Sequence, residues 1–500
     1  MARTAENPGN NRRVRREVLL GCGVVVFLLT FFFTFAGGGL GADFSRDDLM
    51  NLHGYLQQGA ASILKGNLFF WSTSYRPLGG VFYLASHQLF GFDPLPLRLL
   101  CFALLLTNLW LAFRFVQALS ASTETGVLAA LMLTYHAWFV DLYYSSGTIY
   151  ELLCFFFYFG ALGYYARIRL NGDSLRARHW AVILPLYVCA LNAKEMAVTL
   201  PLFLGLFELI YFPPGRQPRE WLAWIGRQGR AALVTGGMTI PYVIVKLTGE
   251  GSLTEVAAYR PEISAGRFLD GFHLYLNPLF YQEHFFRDPN TIQLLLVMIG
   301  FALWRRSRPM IFGWLFLLLS PLPFIFIPHH VAMFLYIPSA GWALYIAAAI
   351  ADLRSLVAGV LARVNPRFRF GEDEPGRSLT AALTFLLLAT GLAFTHRAES
   401  PKTMALFANH QPDVRGFLKQ MDRLQPKLEQ GSRILFLDDP FPVGGDYSLL
   451  FALRLHYDDL SLEIGRRRPD ALPPDRGGDY DAAFTWRNGI LASVADASVE

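Results

Sequence analysis

Long apolar runs alternate with short polar segments along most of this 500-residue chain. A helix of about 20 mainly apolar residues crosses a hydrocarbon core ~30 Å thick. Runs near that length recur, and they predict eleven membrane-spanning helices. The predicted spans are 18–40, 97–119, 125–144, 149–166, 179–193, 196–212, 231–248, 291–304, 309–327, 331–351 and 379–396. This pattern is typical of an all-α polytopic membrane protein.

Arginine-rich segments occur between alternate apolar runs, at 167–179, 215–230, 305–308 and 352–377. Short basic loops favour the cytoplasmic side of a membrane. The chain then begins with a cytoplasmic segment, 1–17, and an odd number of spans places the C-terminus outside. The first run is too long for a signal-peptide core, so we interpret it as a retained span.

The segment that follows the first span, 41–96, is predicted to be a structured outer loop of a membrane domain covering 18–396. Within it, residues 47–65 place leucines and isoleucine at helical spacing, which predicts an amphipathic helix on the outer leaflet. The apolar stretch 78–92 is too short to cross a bilayer, so we expect it to be interfacial.

Hydropathy falls in the last part of the chain, 397–500, and turn residues become frequent. The pattern there predicts a small extracytoplasmic α/β domain. Its predicted elements are a helix at 414–428, a strand at 433–437, a helix at 447–455, and short strands near 460–464 and 482–486.

Composition agrees with a membrane protein, since apolar residues make up 53% of the chain and charged residues 17%. The net charge of +5 comes from short clusters between apolar runs, not from a continuous basic stripe, so no nucleic-acid partner is expected. All four cysteines lie in apolar runs without metal-type spacing, which implies no disulfide framework.

Paired acids, Asp47 and Asp48, come just after the first span. One interpretation is structural: Ser45 caps a helix, and the two carboxylates favour its positive N-terminal end. The other is chemical: a carboxylate just outside the membrane is a general base for an acceptor hydroxyl, or a ligand for a divalent cation. The sequence leaves both interpretations open.

Other ionisable residues fall on the same predicted face of the membrane. Arg76 suits either a lipid headgroup or a substrate phosphate, because a guanidinium binds oxyanions in bidentate fashion. Lys194 and Glu195 interrupt an apolar stretch, either as a tight turn in which they pair with each other or as part of a site. The remaining members of this set are Asp141, Glu151, Arg260, His329 and His330.

Four short motifs resemble those of the GT-C membrane glycosyltransferases, especially the protein O-mannosyltransferase-like and TMTC-like branches of family 39 type. In order, they are the paired acids in 44–51, Tyr-Arg-Pro-Leu at 75–78, Lys-Glu at 194–195 and Leu-Tyr-Ile-Pro-Ser-Ala-Gly at 335–341. The likeness covers roughly residues 15–350. The family's acidic and basic pair before the last motif is replaced by Ala332 and Met333, so His329 or His330 would take over that role.

The resemblance implies an inverting transfer of a sugar from a polyprenyl-phosphate donor to an extracytoplasmic protein, lipid or glycan, with no cofactor beyond an optional divalent cation. Asp47 or Asp48 would be the general base and the metal ligand, if there is one. Donor phosphate would meet Arg76, Lys194, His329 and His330. Substrate contacts would come from Asp141, Glu151, Glu195, Arg260 and Tyr336.

Two alternatives fit the same composition. A transporter or flippase of lipid-linked sugars would also collect charges near the membrane, although it predicts polar residues deep in several spans. A non-catalytic membrane assembly subunit would use the tail to dock a partner. The basic clusters favour a bacterial inner membrane, with the site facing the periplasm or exterior, and an endoplasmic reticulum membrane would suit the same chemistry.

Overall fold

The protein is described here from a computed structural model. The structure describes residues 8–249, 255, 259–328, 331–364, 374–408, 413–444 and 446–494. His329 and His330 lie outside these residues.

Helices account for most of the described chain. They are α1 (Pro8–Ala36), α2 (Arg46–Gln58), α3 (Ala60–Leu68), α4 (Pro77–Phe90), α5 (Pro94–Ser120), α6 (Thr123–Thr134), α7 (Val140–Tyr144), α8 (Ile149–Leu170), α9 (Ala177–Ala193), α10 (Leu200–Tyr211), α11 (Pro218–Arg227), α12 (Arg230–Thr248), α13 (Ala265–Leu279), α14 (Asp288–Trp304), α15 (Arg308–Leu319), α16 (Leu322–Ile325), α17 (Pro338–Val364), α18 (Glu374–Ala408), α19 (Val414–Leu424) and α20 (Ser448–His456). Short 3-10 helices connect several of them, including Ser146–Thr148 and Glu195–Thr199.

Seven helices in the described part of the chain are long and apolar enough to cross a membrane. The count becomes eight if α6 and the segment Ala137–Tyr144, which bend by 57° relative to each other, form one span. Several long apolar helices are the mark of a multi-pass membrane protein, as the sequence predicts. The finer prediction of eleven spans includes shorter helices, such as α9 and α10, and it stays a prediction.

Aromatic side chains fill the centre of the helical region. Phe203 and Phe316 have ring centroids 4.3 Å apart, and Phe155 contacts Phe159 at the same separation. Such offset and tilted pairs stabilise a core beyond the area that they bury. Helices α5, α8, α10, α15 and α17 pack against one another around these rings.

The predicted outer-leaflet helix is instead two helices, α2 and α3. They are separated by Gly59, whose φ of 78° is in the region that favours glycine. Leu49 and Leu52 of α2 are buried by protein contacts with α4 and with α20 of the C-terminal domain, so this helix does not lie flat on lipid. Leu64 and Leu68 of α3 are exposed, and the predicted position of this helix at the membrane interface stays a prediction.

The C-terminal region contains a four-stranded sheet of β1 (Arg433–Phe436), β2 (Glu463–Arg466), β3 (Ala482–Arg487) and β4 (Ile490–Ser493), in the order β2-β1-β3-β4. Strand β1 is parallel to β2 and β3, whereas β3 and β4 are antiparallel. The predicted strands and helices correspond to these elements within a few residues, except that β4 was not predicted.

The boundary predicted at residue 396 falls inside a helix, because α18 continues without a break to Ala408. The C-terminal region also contacts the segment 41–96 directly. Arg415 donates its backbone N–H to Asp43 at 2.6 Å, and its guanidinium donates to the Gly41 carbonyl at 2.7 Å. These contacts bring the tail against the start of α2.

Candidate active site

The start of α2 separates the two adjacent acids into different environments. Ser45 and Asp48 form a reciprocal capping box, with Ser45 N–H donating to Asp48 at 2.9 Å. Asp48 is fully buried, and its carboxylate accepts hydrogen bonds from Arg98 at 2.9 Å and from the Tyr83 hydroxyl at 3.2 Å. Asp48 therefore has its acceptor positions filled by protein groups.

Asp47 points away from that network and into a cavity. Within the described part of the chain, its carboxylate has no hydrogen-bond or ion-pair partner. The backbone of Gly147 closes over one side of it, since a Cβ added to Gly147 would lie 2.6 Å from the Asp47 Cβ. A glycine at this place allows the 3-10 helix Ser146–Thr148 to approach α2 closely.

The cavity has a volume of about 350 Å³ and lies between the membrane-domain loops and the C-terminal domain. Three of its acids are Asp47, Asp141 and Asp446, and the last of these forms an ion pair of 2.6 Å with Arg46. The full lining is Ser45, Arg46, Asp47, Met50, Asp141, Ser145, Asp446, Tyr447, Ser448 and Phe451. A small molecule with hydroxyl groups fits both its size and its polarity.

The Asp47 side chain is exposed towards the cavity, and desolvation by the surrounding protein is still the main cause that raises the pKa of its carboxyl above the ordinary value of 3.8. The negative charges of Asp48 and Glu151 raise this pKa further, while Arg46 and Arg76 act in the opposite direction. A carboxylate that faces a cavity and has a raised pKa accepts a proton more readily than an ordinary surface aspartate does.

A second group of charges lies within electrostatic range of Asp47. Arg76 binds Glu195 through its guanidinium, with the shortest contact at 2.9 Å, and Lys194 pairs with Glu151. Of the two alternatives for Lys194 and Glu195, the one in which they pair with each other is therefore wrong, because Lys194 binds Glu151 of α8 and Glu195 binds Arg76 directly before α4. These cross-links join the start of α4 and the start of α8 to the junction between α9 and α10.

Arg76 is held in an unusual backbone conformation, with φ of 39° and ψ of 59°, directly before Pro77. Its guanidinium lies over the rings of Tyr75 and Tyr150, 4.7 and 5.0 Å from their centroids. Strained residues of this kind persist where the surrounding structure fixes them, which is frequent at functional sites. Arg76 is partly exposed, whereas Lys194 is almost completely buried.

Lys246, which the sequence arguments did not select, joins this second group. Its ammonium donates to the Ser74 carbonyl at 2.5 Å, beside Arg76 and Glu195. With Lys246, the group contains three cations and two carboxylates. No motif marks Lys246, and its only signal in the sequence is a lysine at the outer end of the predicted span 231–248.

The remaining predicted site residues differ in whether they line the Asp47 cavity. Asp141 lines the Asp47 cavity, whereas Glu151 is outside its lining and pairs with Lys194. Tyr336 is buried against Phe155, with ring centroids 4.7 Å apart, and it does not line the cavity. Arg260 is exposed in the irregular stretch before α13 and is also outside the cavity lining.

A divalent cation at this site would need several carboxylate or imidazole ligands close together. In the described residues, no group of three or more His, Cys, Asp or Glu side chains is arranged to hold a metal ion. Asp47 and Asp48 do not form a pair of ligands, since Asp48 is bound by Arg98 and Tyr83. In the part of the chain that the structure describes, these acids therefore do not fit the optional divalent cation.

Comparison with known proteins adds no assignment at this point. No protein-family model matches the chain, and the curated proteins also contain no match. The GT-C resemblance therefore rests on the four motifs alone.

Proposed function

We propose that this protein is a membrane glycosyltransferase that moves a sugar from a polyprenyl-phosphate donor to an acceptor hydroxyl outside the cytoplasm. The observation that carries the proposal is the environment of the Asp47 carboxylate. This carboxylate has a raised pKa, is open to a cavity of about 350 Å³, and lacks a partner among the described residues. The neighbouring acid Asp48 instead stabilises the fold, because it is bound by the buried Arg98.

In the proposed reaction, Asp47 accepts the proton of the acceptor hydroxyl while the acceptor oxygen attacks the anomeric carbon of the donor sugar. The bond from that carbon to the phosphate oxygen breaks, and polyprenyl phosphate leaves with the bonding electron pair. Attack from the face opposite the leaving group inverts the anomeric configuration. Asp47 supplies the base, and the site must otherwise position the two substrates.

The distribution of charge around Asp47 supports the departure of polyprenyl phosphate on one side of it. On one side of Asp47, Arg76, Lys194 and Lys246 outnumber the carboxylates paired with them. Excess positive charge on that side stabilises the negative charge of the phosphate as it leaves. Arg76 is the most suitable phosphate contact, because a guanidinium bound to Glu195 keeps N–H groups that can bind a second oxyanion.

The proposal includes the finer features of the fold that the sequence predicts. These are a GT-C-type membrane domain with eleven spans, a cytoplasmic N-terminus, and an outer face on which Asp47, Asp141 and the C-terminal domain meet. The same arrangement in a bacterial inner membrane would direct the site to the periplasm or exterior. A sugar carried on a polyprenyl lipid reaches such a face laterally from the bilayer.

The test is transfer by the purified full-length protein reconstituted in lipid vesicles. A pool of radiolabelled polyprenyl-phosphate sugars is supplied with extracted cell-envelope acceptors, and the same labelled sugars are supplied as nucleotide sugars in parallel. We expect label to move to an acceptor only from the lipid-linked pool. Transfer from nucleotide sugars, or no consumption of any lipid-linked donor, would contradict the proposal.

A further inference from the structure

The C-terminal domain supplies one wall of the Asp47 cavity. Asp446, Tyr447, Ser448 and Phe451 lie at the start of α20 and face α2 across it. The sequence suggested that the tail docks or recognises something, but it did not connect the tail to the paired acids. The structure makes the tail part of the same site.

Three stacked rings form a ladder along this wall. The ring of His53 stacks on Phe451 with centroids 4.5 Å apart, and Phe451 stacks on Tyr447 at 5.9 Å. Tyr447 is the exposed end of the ladder, with 39% of its surface accessible. An exposed ring face backed by other rings gives a rigid, flat and apolar surface at low entropic cost.

Hydrogen-bond acceptors line the same cavity as the exposed ring. Among the described residues that line the cavity, the carboxylates of Asp47, Asp141 and Asp446 occur with one guanidinium, that of Arg46, which pairs with Asp446. Burial, together with the nearby charge of Arg454, lowers the pKa of His53 to about 4, so this ring is neutral at neutral pH. The cavity is therefore electronegative, in contrast to the side of Asp47 that contains Arg76.

An electronegative cavity repels phosphate and carboxylate groups and favours hydroxyl donors. A sugar ring combines an apolar face of C–H groups with hydroxyls at its rim, which matches a flat aromatic surface bordered by carboxylates. Building on the proposed function, we propose that the cavity between α2 and α20 is the acceptor subsite and that it binds an uncharged carbohydrate, stacked on Tyr447 with one hydroxyl towards Asp47.

Binding without donor tests this inference separately from catalysis. Ligand-observed NMR on the detergent-solubilised full chain would measure short uncharged oligosaccharides of hexose or N-acetylhexosamine, and the same oligosaccharides carrying a phosphate. We expect an uncharged oligosaccharide to bind and its phosphorylated form to bind at least about tenfold more weakly at low salt.

The variant Tyr447→Ala removes the exposed ring, and we expect binding to weaken about fivefold, since a stacked aromatic contact contributes about 1 kcal/mol. Tyr447→Phe keeps the ring and should restore binding. Tyr480→Ala is the matched control, because Tyr480 belongs to the same domain but binds Asp475 outside the cavity. Thermal unfolding and gel filtration would check that each variant is folded.

Three results would overturn the inference: no binding of any uncharged oligosaccharide, equal binding of the phosphorylated forms, or equal loss in Tyr447→Ala and Tyr480→Ala. Binding of a serine- or threonine-containing peptide in place of the oligosaccharides would also overturn it. Failure of the proposed function looks different, since the protein would then bind the uncharged oligosaccharide but transfer no sugar to it.

Discussion

At the scale of single residues, Asp47 and Asp48 show how two adjacent acids take different roles. Neighbours on a helix point about 100° apart, so one of a pair can face the core while the other faces a cavity. The sequence predicts the Ser45 cap, and the capping box confirms it. It did not predict which acid is free, because that depends on Arg98, which α5 supplies from 50 residues away.

The first prediction concerns stability. Asp48→Asn leaves the buried Arg98 without its carboxylate, and breaking a buried ion pair costs about 3–5 kcal/mol. Asp47→Asn should leave stability unchanged or raise it, since a raised pKa means that the folded protein disfavours the ionised carboxylate. Thermal unfolding of the two purified variants measures the difference. Equal midpoints would show that the two acids are equivalent.

The second prediction concerns pH. Because the pKa of Asp47 is raised, its base form is present above that pKa and is lost as the pH falls through it. Sugar transfer should therefore decline on the acid side at a higher pH than an ordinary aspartate would give. The rate of transfer as a function of pH measures this decline, which is the acid limb of the pH profile.

Arg46→Gln removes a cation that lowers this pKa, so the acid limb should move to higher pH. Arg415→Gln is the control, since it removes another arginine between the domains, one paired with Asp43. An acid limb that stays in place in Arg46→Gln, or that moves equally in both variants, would argue against Asp47 as the titrating base.

At the scale of elements, the site depends on close contacts between segments distant in sequence. The sequence predicts the helices well because apolar periodicity is a local property. It does not predict that Lys194 and Glu195 bind separate helices, although side chains at consecutive positions do not face each other. The missed strand β4 had a local signal, because Asn488 and Gly489 between β3 and β4 form a typical hairpin turn.

The third prediction concerns the contact between α2 and Ser146–Thr148. A methyl group at Gly147 would overlap Asp47, so Gly147→Ala should displace the carboxylate and reduce transfer by about 100-fold. Gly163→Ala is the matched control, because a Cβ on Gly163 of α8 meets only Phe115 at 4.0 Å. The measurement is the transfer rate of each folded variant. Similar rates would show that the position of Asp47 is unimportant.

At the scale of the whole molecule, the sequence predicts a multi-pass helical protein with a small C-terminal sheet, and the structure agrees with that outline. It does not predict that the tail folds back onto the first outer loop. The contact depends on Arg46 with Asp446 and Arg415 with Asp43, pairs about 400 and 372 residues apart. Such distant pairings leave no periodic signal in a single sequence.

The fourth prediction concerns topology. In a background lacking the four native cysteines, Gln57→Cys in α2 should react with a membrane-impermeant maleimide from the outer side of sealed vesicles. Asp173→Cys, in the loop between α8 and α9, should react only from the cytoplasmic side. Both positions are exposed, so local burial does not limit labelling. Labelling of both from one side would contradict the predicted span count or orientation.

The most direct test of the account is the rate of sugar transfer from polyprenyl-phosphate donor by wild type and Asp47→Asn, both shown to be folded. Removing a general base reduces a rate by about 100- to 10,000-fold. We expect a loss in that range for Asp47→Asn with donor binding retained. An active wild type matched by a fully active Asp47→Asn would contradict the assignment of Asp47 as the base.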